Sequence, residues 1–489
     1  MRRVLAILLV LGLCLPIVSS MAAAEELKPV TLSYIFFADK KSAVDQVWGE
    51  IANKYRDKLN ADFNVRFIPG DDYKTTLLMM AAAGESWDMN FEGNWLGYYQ
   101  MIAMDAYLDL TDLLPVYAPD LFAAYEESGA LEAATYNGQI VALPWTMVMN
   151  NRTNFQWRGD LVKEAGIELN ADDITDFDDV YEALLKINEA YPDRYTIEVS
   201  SLDAMKVKYS LIDLGNNLVI DLNDPEYTVQ AIETTEAYRE YALYGKKLQD
   251  AGLIWKDVLN DKTDHNALID QGKLITKWGT SEFARQNRAW VEEGAYWDYA
   301  FLYPDGKSPN RTPLANAAAV SATSDNPERV LMFMNLLQTD RELYDLMHYG
   351  ILGVTYELNG EEAVYPEGMS IANSNYMDWQ GRWAFWKPQF MRPDANYHEN
   401  FWKEEEENAY SNPNNVVSPF DAFSLNAEDI SIEVAQRDQV HTDADKLISV
   451  GLAGDADAAV DKLIADQAAN AAVIIAEAQK QIDAYMAAR

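Results

Sequence analysis

The 489-residue chain has a single cysteine, Cys14, which lies in an apolar run at the N-terminus. Once that run is removed no thiol remains, which excludes disulfide bonds, thiolate metal sites and cysteine nucleophiles. The four histidines stand singly, and no two have the spacing of a zinc site. The motifs G-x-S-x-G, H-E-x-x-H, G-x-x-x-x-G-K-[ST] and G-x-G-x-x-G do not occur. No metal or cofactor is therefore expected.

Basic residues are few: 39 Lys and Arg stand against 78 Asp and Glu, for a net charge of −39. Such a field repels phosphate backbones and anionic lipid surfaces, so nucleic acid and membrane surfaces are not expected as partners. The acidic run at 404–407 is predicted to be a solvated face. Hydrophobic residues make up 49%, which excludes a mainly disordered acidic chain. At about 150 residues per domain, the length predicts two or three lobes.

The N-terminus has the features of a secretory signal. Arg2 and Arg3 precede an apolar run over 4–18, and small residues end at Ala24 before an acidic pair. Cleavage after Ala24 removes residues 1–24 and brings the net charge to −41. No later stretch offers about 18 uninterrupted apolar residues, so the mature chain is predicted to be soluble and exported, in the periplasm or at the outer face of the cytoplasmic membrane.

Lipid anchoring at Cys14 is the alternative to release at Ala24. Leu11 puts a bulky side chain where a lipoprotein peptidase expects a small one, and cleavage at Cys14 would leave a very short signal. The sequence therefore disfavours an anchor.

Strand and helix patterns alternate through the first part of the mature chain. Residues 30–37, 64–69 and 88–91 predict strands, and helical stripes over 44–55 and 73–81 lie between them. This βαβαβ order predicts a parallel sheet, and ligands of such sheets sit beyond the carboxyl ends of the strands. Further strands are predicted at 273–280 and 313–320, and a long amphipathic helix, packed on the core, at 455–488.

Tryptophan is abundant, with 13 residues. Trp95, Trp145 and Trp278 each follow a predicted strand, so they are candidate rings on which a ligand stacks. The alternative for each is a buried structural tryptophan. Trp379 and Trp386, with residue 383 between them, share a helical face and are a lower-ranked candidate wall, whose alternative is hydrophobic packing.

Polar candidates for the same site lie close to these tryptophans in sequence. They are Asp39, Glu92, Asn94, Glu282 and Arg285. A solvated loop position is the alternative for each of them.

Several stretches resemble a known family. Residues 138–144 read G-Q-I-V-A-L-P and lead to W-R-G-D-L-V-K-E-A-G-I at 157–167. This resembles the G-x-x-Y-A-[IL]-P strand and following helix of the family 1 extracellular solute-binding proteins of ABC importers, with Val141 in place of the usual tyrosine. Residues 326–350, continuing through G-V-T-Y at 353–356, and E-A-Q-K-Q-I-D at 477–483 resemble the LipO-like subgroup, which has its own C-terminal domain and is usually lipid-anchored.

The resemblance implies an α/β, two-lobed periplasmic-binding-protein fold (type II-like) with a hinge and a ligand cleft between the lobes. By analogy, residues 25–143 and 313–375 form the N-terminal lobe. Residues 144–312 and 376–489 form the C-terminal lobe, with a subgroup-specific helical region. The implied partners are a ligand captured by closure of the cleft and the membrane permease subunits of an ABC transporter. The chain shows no sign of oligomerisation, so a monomer is expected.

The expected ligand is a carbohydrate, in particular an oligosaccharide, held without catalysis. Indole faces can cover the C–H face of a pyranose, while Asp, Glu and Asn side chains can form hydrogen bonds with its hydroxyl groups. A first alternative is a peptide or polyamine, whose positive charge would suit the acidic chain and its aromatic rings. A second is a secreted carbohydrate-active enzyme, which would need two facing carboxylates.

Overall fold

The computed structural model describes residues 27–487 except residues 256, 262, 264–267, 270, 280–294, 371–372, 378–379, 395–399, 421–422 and 424. Up to residue 144 the elements are β1 (Val30–Phe37), α1 (Val44–Lys54), α2 (Arg56–Leu59), β2 (Ala61–Ile68), α3 (Gly70–Ala83), β3 (Met89–Glu92), α4 (Tyr98–Ala103), α5 (Leu114–Tyr117), α6 (Pro119–Ser128), α7 (Ala130–Ala134), β4 (Thr135–Tyr136), β5 (Gln139–Ile140) and β6 (Leu143–Pro144).

The middle of the chain contains β7 (Asn154–Arg158), α8 (Gly159–Glu164), α9 (Phe177–Ala190), α10 (Leu202–Lys208), β8 (Leu211–Gly215), β9 (Leu218–Asp221), β10 (Val229–Ala231), α11 (Glu236–Asp250), β11 (Thr276–Gly279), β12 (Trp297–Phe301) and β13 (Ser308–Pro309). The remainder contains β14 (Ala317–Val320), α12 (Pro327–Thr339), α13 (Arg341–His348), β15 (Glu357–Asn359), β16 (Glu362–Val364), α14 (Phe401–Ser411), β17 (Asn415–Val416), α15 (Ser431–Ile448) and α16 (Ala456–Ala487). Short 3-10 helices cover Ala171–Asp173, Ile232–Thr234, Pro313–Ala315, Gln380–Phe385, Pro388–Phe390 and Glu428–Ile430.

The N-terminal lobe is built on a five-stranded sheet in the order β2-β1-β3-β14-β6. Strands β2 and β3 both pair with β1 in parallel, which confirms the predicted βαβαβ unit. Strand β14, far along the chain, enters antiparallel between β3 and β6. Tyr34 of β1 packs against Trp48 of α1 and Phe333 of α12, with ring centroids 5.8 and 5.6 Å away. Helices from the start of the chain and helices that follow β14 therefore both pack on this sheet.

The C-terminal lobe contains two antiparallel three-stranded sheets, β11-β7-β12 and β10-β9-β8. Helices α15 and α16 pack against each other and complete this lobe. The fully buried Arg437 of α15 forms a two-pronged ion pair with Glu233, at 2.7 and 2.6 Å. The C-terminal helices are thus joined to the lobe by a buried charge pair as well as by apolar packing.

Some sequence-based expectations need correction. Glu405 is 0% exposed, so the acidic run at 404–407 is not a uniformly solvated face. Its burial follows the helical spacing that also turns Phe401, Trp402 and Ala409 inward. The segment predicted as one strand at 313–320 begins instead with a 3-10 turn, because Pro313 starts the turn and the Thr312 hydroxyl accepts from the Leu314 amide at 3.2 Å.

The hydrophobic core of the N-terminal lobe continues past residue 375, where the sequence placed a lobe boundary. Tyr376, Ala384 and Phe385 belong to the same hydrophobic core as β1 and β3, although they lie beyond residue 375. Of the helices within the described residues, none combines the length and apolar character needed to cross a membrane.

Candidate functional site

The cleft between the two lobes has a volume of about 840 Å³. Its walls come from the ends of β1 and β3, from the segment 309–316 that runs between the lobes, and from the C-terminal lobe around β8, Ser418, Phe420 and Phe423. The lining residues are Phe37, Phe91, Asn94, Trp95, Tyr99, Asn151, Ile212, Asp213, Leu214, Pro309, Asn310, Arg311, Thr312, Ala315, Asn316, Trp383, Ser418, Phe420 and Phe423.

Trp95 presents its ring to this cleft from the turn after β3. The side chain is 54% exposed, yet its Nε1 donates to the carbonyl oxygen of Ala315 at 2.6 Å. Its ring packs edge-on against Phe37 at 5.6 Å. A Cβ on Gly93 would lie 2.6 Å from that Ala315 oxygen and 2.7 Å from Trp95 Nε1, so the turn requires glycine. The indole is therefore held at one edge and open on a face.

Glu92 lies behind the Trp95 turn and is 0% exposed. Its carboxylate accepts from the Gly93 amide at 3.0 Å and from the Tyr107 hydroxyl. Asn90 donates in turn to Tyr107 at 3.1 Å. Burial raises the pKa of Glu92 to about 7, against the lowering effect of its hydrogen bonds. Glu92 therefore supports the turn from behind, and the cleft does not reach it.

Three stacked indoles form a second aromatic feature of the site. Trp383 lines the cleft, and its ring lies parallel to those of Trp386 and Trp145, at 4.3 and 5.6 Å. Trp145 Nε1 donates to the Trp383 carbonyl oxygen at 2.5 Å. Trp145 and Trp386 are only 3% and 4% exposed. The two buried rings thus set the position of Trp383.

The segment between the lobes contributes the polar floor. Asn310 Nδ2 donates to the Ala409 carbonyl at 2.9 Å, whereas Asn310 Oδ1 has no hydrogen-bond partner among the described residues. A buried acceptor without a partner is unfavourable, so a hydroxyl donor from a ligand would stabilise it. Burial lowers the pKa of the neighbouring Arg311 guanidinium, and the negative charge of Glu405 acts in the opposite direction. The floor thus combines a buried amide oxygen that has no hydrogen bond within the described part of the chain with an arginine that interacts with the negative charge of Glu405.

The C-terminal lobe adds a mainly apolar wall. Phe420 and Phe423 lie 6.5 Å apart between ring centroids, and Leu214 is beside them in the lining. Asp213 is the only carboxylate among the described lining residues, and it forms an ion pair with Lys206 at 2.9 Å. The described lining therefore consists mostly of aromatic rings and uncharged amides.

The structure brings some of the sequence-based candidates together and separates others. Asn94 and Trp95 line the cleft, whereas Asp39 is exposed beyond β1 and does not. Trp278 packs with Phe155 at 5.7 Å and donates to the Val199 carbonyl at 2.8 Å, away from the cleft lining.

The buried positions of Trp145 and Trp386 correct the expectation that they present open faces, because neighbouring indoles cover them. Trp379, Glu282 and Arg285 lie outside the described residues.

The sequence did not single out several lining residues. Asn151 and Asn310 begin N-x-T triplets, which occur by chance and carry no positional signal. Tyr99 lies four positions after Trp95, in the stretch that follows β3. Its position after a predicted strand could therefore have identified it as a candidate cleft residue. Phe420 and Phe423 had none. Among the described residues, no group of three His, Cys, Asp or Glu side chains is placed to hold a metal ion.

Known proteins share both the sequence pattern and the fold of this chain. Residues 50–363 match the family described as bacterial extracellular solute-binding protein, and residues 419–487 match a domain of unknown function, DUF3502. A carbohydrate ABC transporter substrate-binding protein of Streptococcus pneumoniae serotype 4 is 25% identical over 348 residues, which cover 70% of this chain and 69% of that protein.

Solved structures agree on the fold. An N-glycan transport solute-binding protein (NgtS) from Streptococcus pneumoniae superposes with a TM-score of 0.78 at 21% identity, covering 94% of this chain and 99% of that one. An HMO-binding ABC-transporter-associated solute-binding protein from Bifidobacterium longum infantis gives a TM-score of 0.66 at 14% identity, with 94% and 99% covered. The two-lobed α/β fold expected from the sequence is confirmed.

Proposed function

We propose that this chain, which belongs to the bacterial extracellular solute-binding protein family, captures an uncharged oligosaccharide in its cleft and delivers it to the permease of an ABC importer. The relative from Streptococcus pneumoniae is a carbohydrate ABC transporter substrate-binding protein, and the two solved structures carry names that refer to N-glycan transport and HMO binding. These names support the ligand class and the partner.

The composition of the described cleft lining carries the proposal. Trp95 and Trp383 place indole rings in the cleft, and a sugar ring can lay its C–H face on such a surface. Asn94 and Asn310 belong to the same lining, and side-chain amides can hydrogen-bond to sugar hydroxyls. Rings and amides without many charges suit a neutral polyhydroxylated ligand.

The two alternatives lack such support in the described lining. A polyamine or basic peptide would need several carboxylates, but only Asp213 is present and Lys206 already pairs with it. A glycosidase would need two facing carboxyl groups about 5–10 Å apart. Glu92 is buried behind the Trp95 turn and does not reach the ligand space. We therefore propose binding without catalysis.

Closure of the lobes is the proposed capture mechanism. Trp95 belongs to the N-terminal lobe and Phe420 to the C-terminal lobe, so one ligand can contact both walls. Hinge closure gains those contacts together and excludes water from the ligand. The family is extracellular, so capture takes place outside the cytoplasmic membrane. We further propose that the exported chain starts after Ala24 and carries no lipid at Cys14.

A glycan panel tests the function. Purified mature protein is mixed with oligosaccharides of two to seven sugar units, and its thermal unfolding is followed. A ligand present at 100 times its Kd adds about 2.7 kcal/mol of stability. Trp95→Ala should weaken glycan binding by about 1–3 kcal/mol, because it removes a stacking surface. Tyr410→Ala is the control, since Tyr410 is exposed and does not line the cleft.

Other outcomes would reject the proposal. If spermidine or a peptide stabilises the protein and no glycan does, the ligand is cationic or peptidic. Products released from a glycan by the pure protein would make it an enzyme. Equal glycan affinities for the wild type and Trp95→Ala would remove Trp95 from the binding surface.

A further inference from the structure

A second cavity, of about 1220 Å³, adjoins the cleft. The two cavities share Tyr99 and Phe423 in their linings. Pockets for drug-sized ligands run to roughly 300–1,000 Å³, so the cleft alone already suits such a ligand. The adjoining space therefore offers room for a ligand that extends beyond the cleft.

The second cavity lies between the N-terminal lobe and the C-terminal domain, which here means residues 419–487. One wall comes from α4, α7 and the β4–β5 hairpin. The opposite wall comes from residues 425–431 and from the end of α16, including Ala484 and Tyr485. A ligand in this space would contact both the N-terminal lobe and the C-terminal domain.

The aromatic wall of the cleft continues into this cavity without a break. Phe420 and Phe423 line the cleft, and Phe423 and Tyr485 line the second cavity. The Phe423 and Tyr485 rings pack edge-on, with centroids 5.6 Å apart. Each ring in this row is therefore in contact with the next from one cavity to the other.

The wall is also held in place before any ligand arrives. Gln481 of α16 accepts from the Asn426 amide and donates to the Asn426 carbonyl, both at 2.9 Å. This pair of hydrogen bonds ties the 425–427 segment to the last turns of the helix. A preformed wall lowers the ordering cost of binding.

The chemistry of the described lining matches that of the cleft. Tyrosines 99, 136 and 485 supply rings, and Gln100, Thr135 and Asn137 supply uncharged polar groups. The charged side chains among the described lining residues are Glu132 and Glu428, both acidic. A neutral polyhydroxylated chain fits this lining, whereas a polyanion would be repelled.

We propose that the second cavity holds the distal sugar units of an oligosaccharide whose other units occupy the cleft, so that the C-terminal domain selects for longer ligands. This inference rests on the proposed function. It gives the C-terminal domain a direct role in binding and predicts that affinity rises with chain length beyond what the cleft can hold.

The test combines a length series with blocked cavities. Ala484→Trp on α16 and Gln100→Trp on α4 each place a bulky ring into the second cavity from opposite walls, at exposed helix positions. Ala476→Trp on the same helix as Ala484 is the matched control, since it is exposed and lies outside the lining. Binding of glucan, mannan, xylan and inulin-type oligosaccharides and of N-glycans, each of two to seven units, is measured by calorimetry.

We expect the wild type and Ala476→Trp to bind the longest members of one series at least tenfold more tightly than the shortest. Both blocking variants should lose that gain while binding the short members as the wild type does. Equal affinity for all lengths, or blocked variants that keep the full gain, would overturn the inference and leave the proposed function standing. A wild-type protein that binds none of these glycans would overturn both.

Discussion

Replacing Glu92 by glutamine should change how the stability of the protein depends on pH. The carboxyl group is fully buried behind the Trp95 turn, and its pKa is raised from 4.5 to about 7. In the unfolded chain the group ionises near 4.5. Between these two values the folded state binds more protons than the unfolded state. The stability linked to Glu92 is therefore full below pH 4.5 and is lost as the pH rises to about 7.

The size of the effect follows from the same two values. Each tenfold change in the proton equilibrium corresponds to 1.36 kcal/mol, so ionising Glu92 in the folded protein costs about 3 kcal/mol. Glutamine has nearly the same shape and still offers an acceptor to the Tyr107 hydroxyl, but it does not titrate. The Glu92→Gln variant should therefore gain about 3 kcal/mol relative to the wild type as the pH rises from 4.5 to 8.

Denaturant unfolding followed by tryptophan fluorescence, repeated across this pH range, measures the difference. Glu50→Gln is the matched control, because Glu50 is exposed on α1. Its unfolding free energy should follow that of the wild type at every pH. A constant difference between the wild type and Glu92→Gln across the range would refute the reasoning about burial.

Two further predictions concern the C-terminal lobe and the start of the mature chain. Arg437→Met should lower the unfolding free energy by about 3–5 kcal/mol, because it leaves the buried Glu233 carboxylate without its ion-pair partner, and Glu233→Met in the same chain should restore most of the loss. Urea unfolding of the single and double variants measures this, and a small loss in the single variant would contradict it. Mass spectrometry of the exported protein should find Glu25 at its N-terminus, whereas an acylated Cys14 there would contradict the proposed cleavage after Ala24.

Local patterns were sufficient for the elements that precede the site. The β-branched and aromatic residues at 30–37 predicted β1, and the three-to-four spacing of apolar residues at 44–55 predicted α1, since both signals are local in sequence. The end of β3 could be placed in the same way. Because ligands lie beyond the carboxyl ends of parallel strands, the sequence predicted Asn94 and Trp95 as candidate ligand contacts, and both line the cleft.

The same patterns could not decide which tryptophans remain open. Trp145 follows a strand as Trp95 does, but Trp383 and Trp386, more than 230 positions later, stack over it. The open ring of that stack is Trp383, in a 3-10 helix where the sequence predicted a regular helical face. Because the residues that cover Trp145 are so distant in sequence, no local periodicity around Trp145 could predict its burial.

Local sequence patterns also failed to predict that a charged residue, Glu405, is buried. A run of four glutamates reads as a solvated surface, yet the helix turns Glu405 toward the buried side. Only the packed structure reveals that Arg311, from the segment between the lobes, interacts electrostatically with it.

The sequence by itself determined that no thiol lies after Cys14, the α/β alternation and the family, and it predicts an export signal. Each of these depends on composition or on neighbours within a few turns of the chain. The tertiary structure alone decided which rings face the cleft, that Glu92 lies behind it, and that the C-terminal domain borders a second cavity. These properties arise where segments from residues 37, 95, 213, 310, 383 and 423 meet, and such contacts depend on how the whole chain packs.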